Sequence, residues 1–485
     1  MQLDGWVTIA IAVALVAIDF VIRILAVAII PRNRRPQTAM AWLLAIFFLP
    51  YLGILLFLTF GSRRLPKGRR AKQQEINTYI LETTEGIEDV ASDHPWLDPI
   101  VALNRTLGAM PLVGGNAATL HSDYLNSLAA MTQAVNAAKS YVHAEFYIFA
   151  CDTTTSPFFD ALEAAAARGV TVRVLLDHVA GLRTVGYRRT LRRLEGMGIH
   201  WALMLPVQPL KGKWQRPDLR NHRKILVVDG SLAFTGSQNI IDSSYNKAEN
   251  LRRGLQWKDL MVRFEGPIVA GINALFVTDW YTETNELLLR ETATTQRVTR
   301  KHAVDAQVVP SGPGFDGENN LRLFNSLLYS AQEKIIIVSP YFVPDESMLY
   351  AITTAAQKGI DVQLFVSAVA DQFLVYHAQR SYYEVLLKAG VRIWLYNAPT
   401  VLHAKFFTID DEVGVIGSSN MDMRSFSLNL EISVMVHGRK FVEDLRALEA
   451  EYRASSRELT LDEWMQRPLA GRIFDNVARL TAAVQ

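Results

Sequence analysis

The 485-residue chain has a single cysteine, Cys151. An intramolecular disulfide is therefore excluded, and such usage suits a reducing compartment. Metal-site spacings are missing as well. No C-x-x-C or H-E-x-x-H occurs, and His94, His121, His143, His178, His200, His302, His377 and His437 fall at no metal-ligand spacing. A Walker loop is also absent. Nor is there a surplus of charge, since 50 Lys/Arg against 48 Asp/Glu leave a net +2. That balance hides an asymmetry. Residues 1–72 hold ten Lys/Arg and two Asp/Glu, a net +8, so the remainder carries −6. A nucleic-acid binder carries its basic face on the folded part, so a membrane surface is the expected partner and nucleic acid is not.

Long hydrophobic runs are present at one end only. Residues 6–30 form a 25-residue apolar run, about 37 Å as a helix and enough to span a bilayer. It lacks a basic n-region and a small-residue cleavage site, which argues against a cleaved signal peptide. Asp19 and Arg23 lie inside it at i, i+4, where they can pair on one helix face. Residues 38–60 form a second apolar run that Pro50 should kink. Residues 1–72 are thus expected to be a membrane region with two transmembrane helices, at about 6–30 and 38–60. The loop 31–36 carries three arginines and the segment 61–72 six basic residues. With two full spans the larger cluster places the rest of the chain in the cytoplasm, as a multi-pass protein of the cell membrane. A re-entrant hairpin would satisfy both clusters and stays open.

The chemistry concentrates in NHRKILVVDGSLAFTGSQN, residues 221–239. It contains His222, Lys224 and Asp229, followed by Gly236-Ser237-x-Asn239. The arrangement returns as His403, Lys405 and Asp410 with Gly417-Ser418-x-Asn420, each glycine fourteen residues after its histidine. On a strand, positions two apart share a face, so each histidine lies beside its lysine. An imidazole beside an ammonium suits a phosphoryl group, one attacking or moving a proton and the other neutralising an oxygen. The serine hydroxyls and asparagine amides offer donors for the remaining oxygens. Asp229 and Asp410 complete the motif among the candidate catalytic residues. Their odd offset from the histidines points them off that face, as strand-end anchors.

The flanking elements repeat too. After a linker at 73–115, each half alternates helices and apolar strands. Gly169 and Gly198 close helices 29 residues apart in the first half, and Gly359 and Gly390 do so 31 apart in the second. The expected fold is α/β: two pseudo-symmetric units, 116–300 and 301–485, sharing one active site and built on a mixed, partly parallel sheet.

These paired H-x-K-x4-D motifs resemble those of the phospholipase D superfamily, and the chain is most similar to bacterial cardiolipin synthases. The landmarks are AEFYIF at 144–149, RNHRK at 220–224, FEGP at 264–267, SGP at 311–313, SPYFVPDE at 339–346 and HAKFF at 403–407. The resemblance implies phosphatidyl transfer through a phosphohistidine, one phosphatidylglycerol being joined to another with release of glycerol. It assigns the nucleophile to His222 and the proton transfers to His403, a choice that the symmetry of the motifs leaves open. It also implies a carboxylate bonded to the motif histidine: Glu431, 28 residues after His403, and in the first half Asp259 at +37, since Asn250 stands at +28. Lys224, Lys405, Asn239, Asn420, Ser237 and Ser418 would hold phosphate oxygens.

Two lysines and two asparagines can do the neutralising work of a cation, so neither metal nor cofactor is expected. Glu145, on an apolar strand, needs a motif lysine, a substrate hydroxyl or a structural ion pair. Tyr147 and Tyr341 open the two halves in matching places. Lys211, Lys213, Arg216 and Arg220, with Trp214, form a basic loop that could meet lipid phosphates. The expected partners are phosphatidylglycerol, other anionic phospholipids and the bilayer, while a homo-oligomer stays open. Transfer to water, as in a membrane-bound phospholipase D, transfer to another alcohol, and an inactive membrane scaffold are the alternatives.

Overall fold

The computed structural model describes residues 5–32, 34–61, 65–84, 86–91, 94–213, 215–288, 302–315 and 317–480. The chain divides into two compact units, Met1–Arg64 and Leu65–Gln485. Trp214 and the expected boundary at 300/301 lie outside the described residues.

In the first unit the apolar run forms the helix Gly5–Ile29, of which the 21 residues Ile9–Ile29 are long and apolar enough to cross a membrane. Asp19 and Arg23 pair at 2.9 Å, and the Arg23 guanidinium lies 5.4 Å from the Phe47 ring on the next helix. The second run departs from the expected transmembrane helix. It is split into Pro36–Phe48 and Pro50–Phe60, of 13 and 11 residues, each short of the roughly 20 needed to span. Among the described residues only Ile9–Ile29 has that length. Pro50 has no N–H to continue the first helix, and Leu49 turns the chain at φ −134°, ψ 71°. The arms then close on each other. A Cβ at Gly53 would sit 2.7 Å from the Ala45 carbonyl oxygen, so only glycine permits this approach. Arg34 donates to the carbonyls of Ile30 (2.8 Å) and Gly61 (3.2 Å), tying the end of the long helix to the end of the second arm.

In the second unit, the segment expected as a linker belongs to the folded body. Its helices Lys67–Thr84 and Asp98–Gly108 bury Ile76, Ile80, Ile100 and Val101, with Leu97 buried at the N-cap of the second. Asn104 donates to Gln307 at 2.9 Å in the interior.

One mixed sheet runs through the unit with a repeated strand order. At its centre Val113–His121 and Val304–Ser311 lie antiparallel. From Val113–His121 outward follow Met261–Glu265, Leu232–Gly236, Lys224–Val228, Tyr141–Phe146, Thr171–Asp177 and His200–Met204. From Val304–Ser311 outward follow Asn429–His437, Val413–Gly417, Phe406–Ile409, Lys334–Val338, Asp361–Ser367 and Arg392–Tyr396, with Ser456–Leu459 at the edge. The inner pairings are antiparallel; the last three strands of the first series and Lys334–Val338, Asp361–Ser367 and Arg392–Tyr396 of the second are parallel, and the edge strand Ser456–Leu459 is antiparallel. The helices Ser156–Ala167 and Glu346–Gln357 supply the crossovers that parallel pairing requires. Each ends at a glycine with positive φ, Gly169 at 88° and Gly359 at 91°.

Two short strands break the separation of the halves. Arg220–Asn221 pairs in parallel with Asn429–Leu430, and Thr400–Leu402 with Gln256–Lys258. Just ahead of each motif histidine, the chain therefore pairs with the opposite half.

Candidate active site

The histidines sit where the backbone changes partner. Strand pairing to the opposite half ends at Asn221 and Leu402, and pairing within the histidine's own half begins at Lys224 and Phe406. The His222 amide donates to the Leu430 carbonyl at 2.8 Å, and the His403 amide to the Lys258 carbonyl at 2.8 Å. His222 is thus delivered to the start of the strand that holds Glu431, and His403 to the junction between Gln256–Lys258 and Met261–Glu265 where Asp259 lies.

The side chains complete the exchange. His222 Nδ1 lies 3.0 Å from both oxygens of Glu431, and His403 Nδ1 lies 2.6 Å from Asp259 Oδ1. The pairing expected within each half is therefore corrected: Glu431 serves His222 and Asp259 serves His403. Parallel strands of only two and three residues put the partners in register. An Nδ1–H donated to a carboxylate leaves Nε2 with the lone pair, the tautomer suited to attack or to accept a proton.

Ser237 and Ser418 also leave the roles expected of them. Ser237 Oγ donates to Asp259 Oδ1 at 2.6 Å and accepts from the Leu260 amide at 2.9 Å. Ser418 Oγ donates to Glu431 and accepts from the Ile432 amide at 3.0 Å. Their hydroxyls hold carboxylates rather than face a phosphate.

The lysines fold back on their motifs. Lys224 Nζ donates to the His222 carbonyl at 2.5 Å, and Lys405 Nζ to the His403 carbonyl at 2.7 Å. All four side chains are buried together. Burial lowers the His222 imidazole to about 4; Glu431 opposes the shift, while Lys224 and Lys405 add to it. His403 is lowered by burial and by Lys405 and Lys224, against Asp259. Burial takes Lys405 down to about 8 and holds Lys224 well below the ordinary lysine range. Burial alone would raise Glu431 and Asp259. The facing histidine and lysine charges outweigh it and keep both carboxyls low. Each histidine feels the lysines of both halves, which makes this one site rather than two.

The asparagines differ between halves. Asn239 is engaged, accepting from the Ile148 amide at 3.2 Å and donating to the Tyr245 hydroxyl at 2.8 Å. Asn420 is buried with its Oδ1 unpartnered. Tyr147 stands edge-on to His222, ring centroids 5.0 Å apart, with Lys224 Nζ 5.5 Å from its ring. Tyr245 occupies the matching place by His403 at 6.5 Å. Sequence reasoning missed Tyr245, because no periodicity marks a loop tyrosine six residues beyond Asn239. Tyr341 donates to Asp371 at 2.8 Å.

Other expected residues fall outside the cluster. Asp229 accepts the amides of Lys139, Ser140 and Tyr141, and Asp410 those of Gln332, Glu333 and Lys334. Both are strand-end anchors at positive φ, 52° and 48°; counting them among the catalytic residues is corrected, since each is spent on backbone at the far end of its strand. Glu145 does not meet a lysine. It accepts from Asn221 at 2.9 Å, and burial beside Asp279 raises its carboxyl well above the usual range. The basic loop does not form one patch either, because Arg216 pairs with Asp218 and Arg220 is buried on Asp177 at 3.1 Å. The fold does bring His94, Glu412 and His437 together, with ligand atoms within 4.8 Å of one another. That triad could hold a cation at the opposite end of the strands, where sequence spacing predicted no metal site.

A family model described as "Cardiolipin synthase, PLD-like domain" matches residues 131–265 and 324–450, covering both motif histidines. The chain belongs to the cardiolipin synthase family of the phospholipase D superfamily. A second model, "Phospholipase_D-nuclease N-terminal", matches residues 20–62. Cardiolipin synthase A of Proteus mirabilis is 34% identical over 454 residues, covering 92% of each chain. The Serratia proteamaculans protein of that name is 33% identical over 459 residues, 93% of each. In fold the chain is similar to phosphatidylserine synthase of Haemophilus influenzae, at a TM-score of 0.60 and 14% identity over 79% of this chain and 99% of that one.

Proposed function

We propose that the chain transfers a phosphatidyl group from one phosphatidylglycerol to another, forming cardiolipin and glycerol, with His222 as the covalent nucleophile. The observation that carries this reading is the crossed pair, His222 on Glu431 and His403 on Asp259, inside one lysine-lined cluster. Membership of the cardiolipin synthase family supports the choice of lipid.

His222 Nε2 attacks the phosphorus and the bond to the glycerol oxygen breaks. His403 gives its proton to that oxygen. Entry of an anionic phosphodiester among these buried bases favours the protonated His403 that this step requires. In the second step His403 takes the proton of a terminal hydroxyl on the incoming phosphatidylglycerol. That oxygen attacks phosphorus, the N–P bond breaks, and His222 is regenerated. Lys224 and Lys405 neutralise charge that grows on the non-bridging oxygens.

A nitrophenyl phosphatidyl ester tests the roles, because nitrophenolate leaves without a proton. His403→Asn should release one equivalent of nitrophenol in a burst and retain the phosphatidyl label on His222, located by mass spectrometry. His222→Asn should give no burst. Label on His403 would exchange the roles, and absence of label would favour direct displacement. Products formed by the unsubstituted chain with and without phosphatidylglycerol separate transfer to lipid from transfer to water.

A further inference from the structure

The helix Leu469–Arg479 faces the wrong way for a soluble protein. Its buried residues are Asp475 and Ala478. Asp475 receives His377 Nδ1 at 2.7 Å and Arg467 at 2.5 Å, with Arg380 at 3.5 Å. Its outer face carries Leu469, Ile473, Val477 and Leu480, spaced i, i+4, i+8, i+11, with Phe474 beside them; Leu469 is 68% and Leu480 83% exposed. A surface helix normally buries this stripe and exposes its acid. The patch continues onto the helix Phe373–Arg380, where Phe373 is 67% exposed and its ring lies 5.4 Å from that of Phe474. Monomeric proteins seldom leave so continuous an apolar face uncovered.

Position and charge indicate what covers it. Tyr376 and Gln379 of the same helix line a small cavity with Tyr341, Asp371 and Val401, and Val401 stands two residues ahead of His403. The apolar face therefore neighbours the segment that leads into His403. Arg472 and Arg479 lie on this helix, Arg472 within 3.8 Å of Glu384 and Arg479 over the Tyr382 ring, while the helix's own acid is turned inward onto Arg467. An apolar stripe with a basic rim matches the interface of an anionic bilayer.

We propose that Leu469, Ile473, Phe474, Val477, Leu480 and Phe373 form a docking face for an anionic phospholipid surface, which holds the cavity mouth at the headgroup layer. The inference rests on the phosphatidyl-transfer reading only in choosing lipid over another apolar partner. The test uses the full chain carrying Cys151→Ser and Ile473→Cys, labelled with an environment-sensitive fluorophore and reconstituted in phosphatidylglycerol/phosphatidylcholine vesicles. The label should shift to the blue and be quenched by nitroxide-bearing lipid. An unquenched label, or shielding that depends on protein concentration instead of lipid, overturns the proposal in favour of a second copy. Ile473→Asp/Val477→Asp should lower kcat/KM on vesicle phosphatidylglycerol by more than about tenfold, leaving turnover of a monomeric short-chain nitrophenyl ester unchanged. Equal loss on both substrates overturns it. Should that variant fail to fold, Ile473→Gln carries the same comparison. Failure of the unsubstituted chain to turn over the ester sinks the phosphatidyl-transfer reading alone, because quenching is read without catalysis.

Discussion

Glu431 and Asp259 bond to histidines 209 and 144 residues away in sequence. Each carboxylate is buried, bonded to a serine of its own half and pointed at the imidazole of the other. Its proposed effect is on the tautomer. An amide at position 431 can donate an N–H to Nδ1, driving the imidazole proton to Nε2 and removing the lone pair that attacks. Glu431→Gln should therefore slow the nitrophenol burst by about 10²–10⁴-fold. Asp259→Asn should leave the burst nearly intact, since that leaving group needs no acid, and slow the transfer to phosphatidylglycerol. Stopped-flow absorbance with product analysis distinguishes them. The opposite pattern would assign the nucleophile to His403.

At the scale of elements, the proline-split hairpin bears on topology. Arg34 joins Ile30 to Gly61, so the second apolar run returns to the level at which it left the long helix. We infer one span followed by a re-entrant hairpin, which brings Arg34 and Gly61 to the same side of the bilayer. Single cysteines at Trp6, Pro31 and Lys67 in a Cys151→Ser background should show it. An impermeant maleimide should label positions 31 and 67 from one side and position 6 from the other. Labelling of 31 and 67 from opposite sides would restore the two-span arrangement.

For the whole molecule, the central antiparallel strands Val113–His121 and Val304–Ser311 make the halves one sheet, and the short crossed strands make them one site. All the groups proposed for the chemistry come from a single chain. Mixing His222→Ala with His403→Ala protein during reconstitution should therefore restore no cardiolipin synthesis, even if the chain self-associates. Recovery of part of the activity, measured by lipid product formation, would place the two histidines of a site on different copies.

What was legible in the sequence is what nearby residues settle among themselves. The repeated H-x-K motifs, the strand and helix periodicities, the glycines closing helices and the interruption at Pro50 all depend on neighbours within about a dozen positions. Tertiary structure decided the rest, because it turns on partners far apart in the chain. Glu431 could be singled out at +28 from His403, yet it bonds to His222, since the parallel pairing of Asn221 with Leu430 is invisible to local pattern. Ser237 and Ser418 looked like phosphate donors until antiparallel pairing within each half set them on Asp259 and Glu431. Spacing alone could mark the stripe from Leu469 to Leu480 as amphipathic. That it faces outward follows only from Asp475 finding His377, Arg380 and Arg467 in the interior, where a buried carboxylate without partners would be far costlier than exposed leucines.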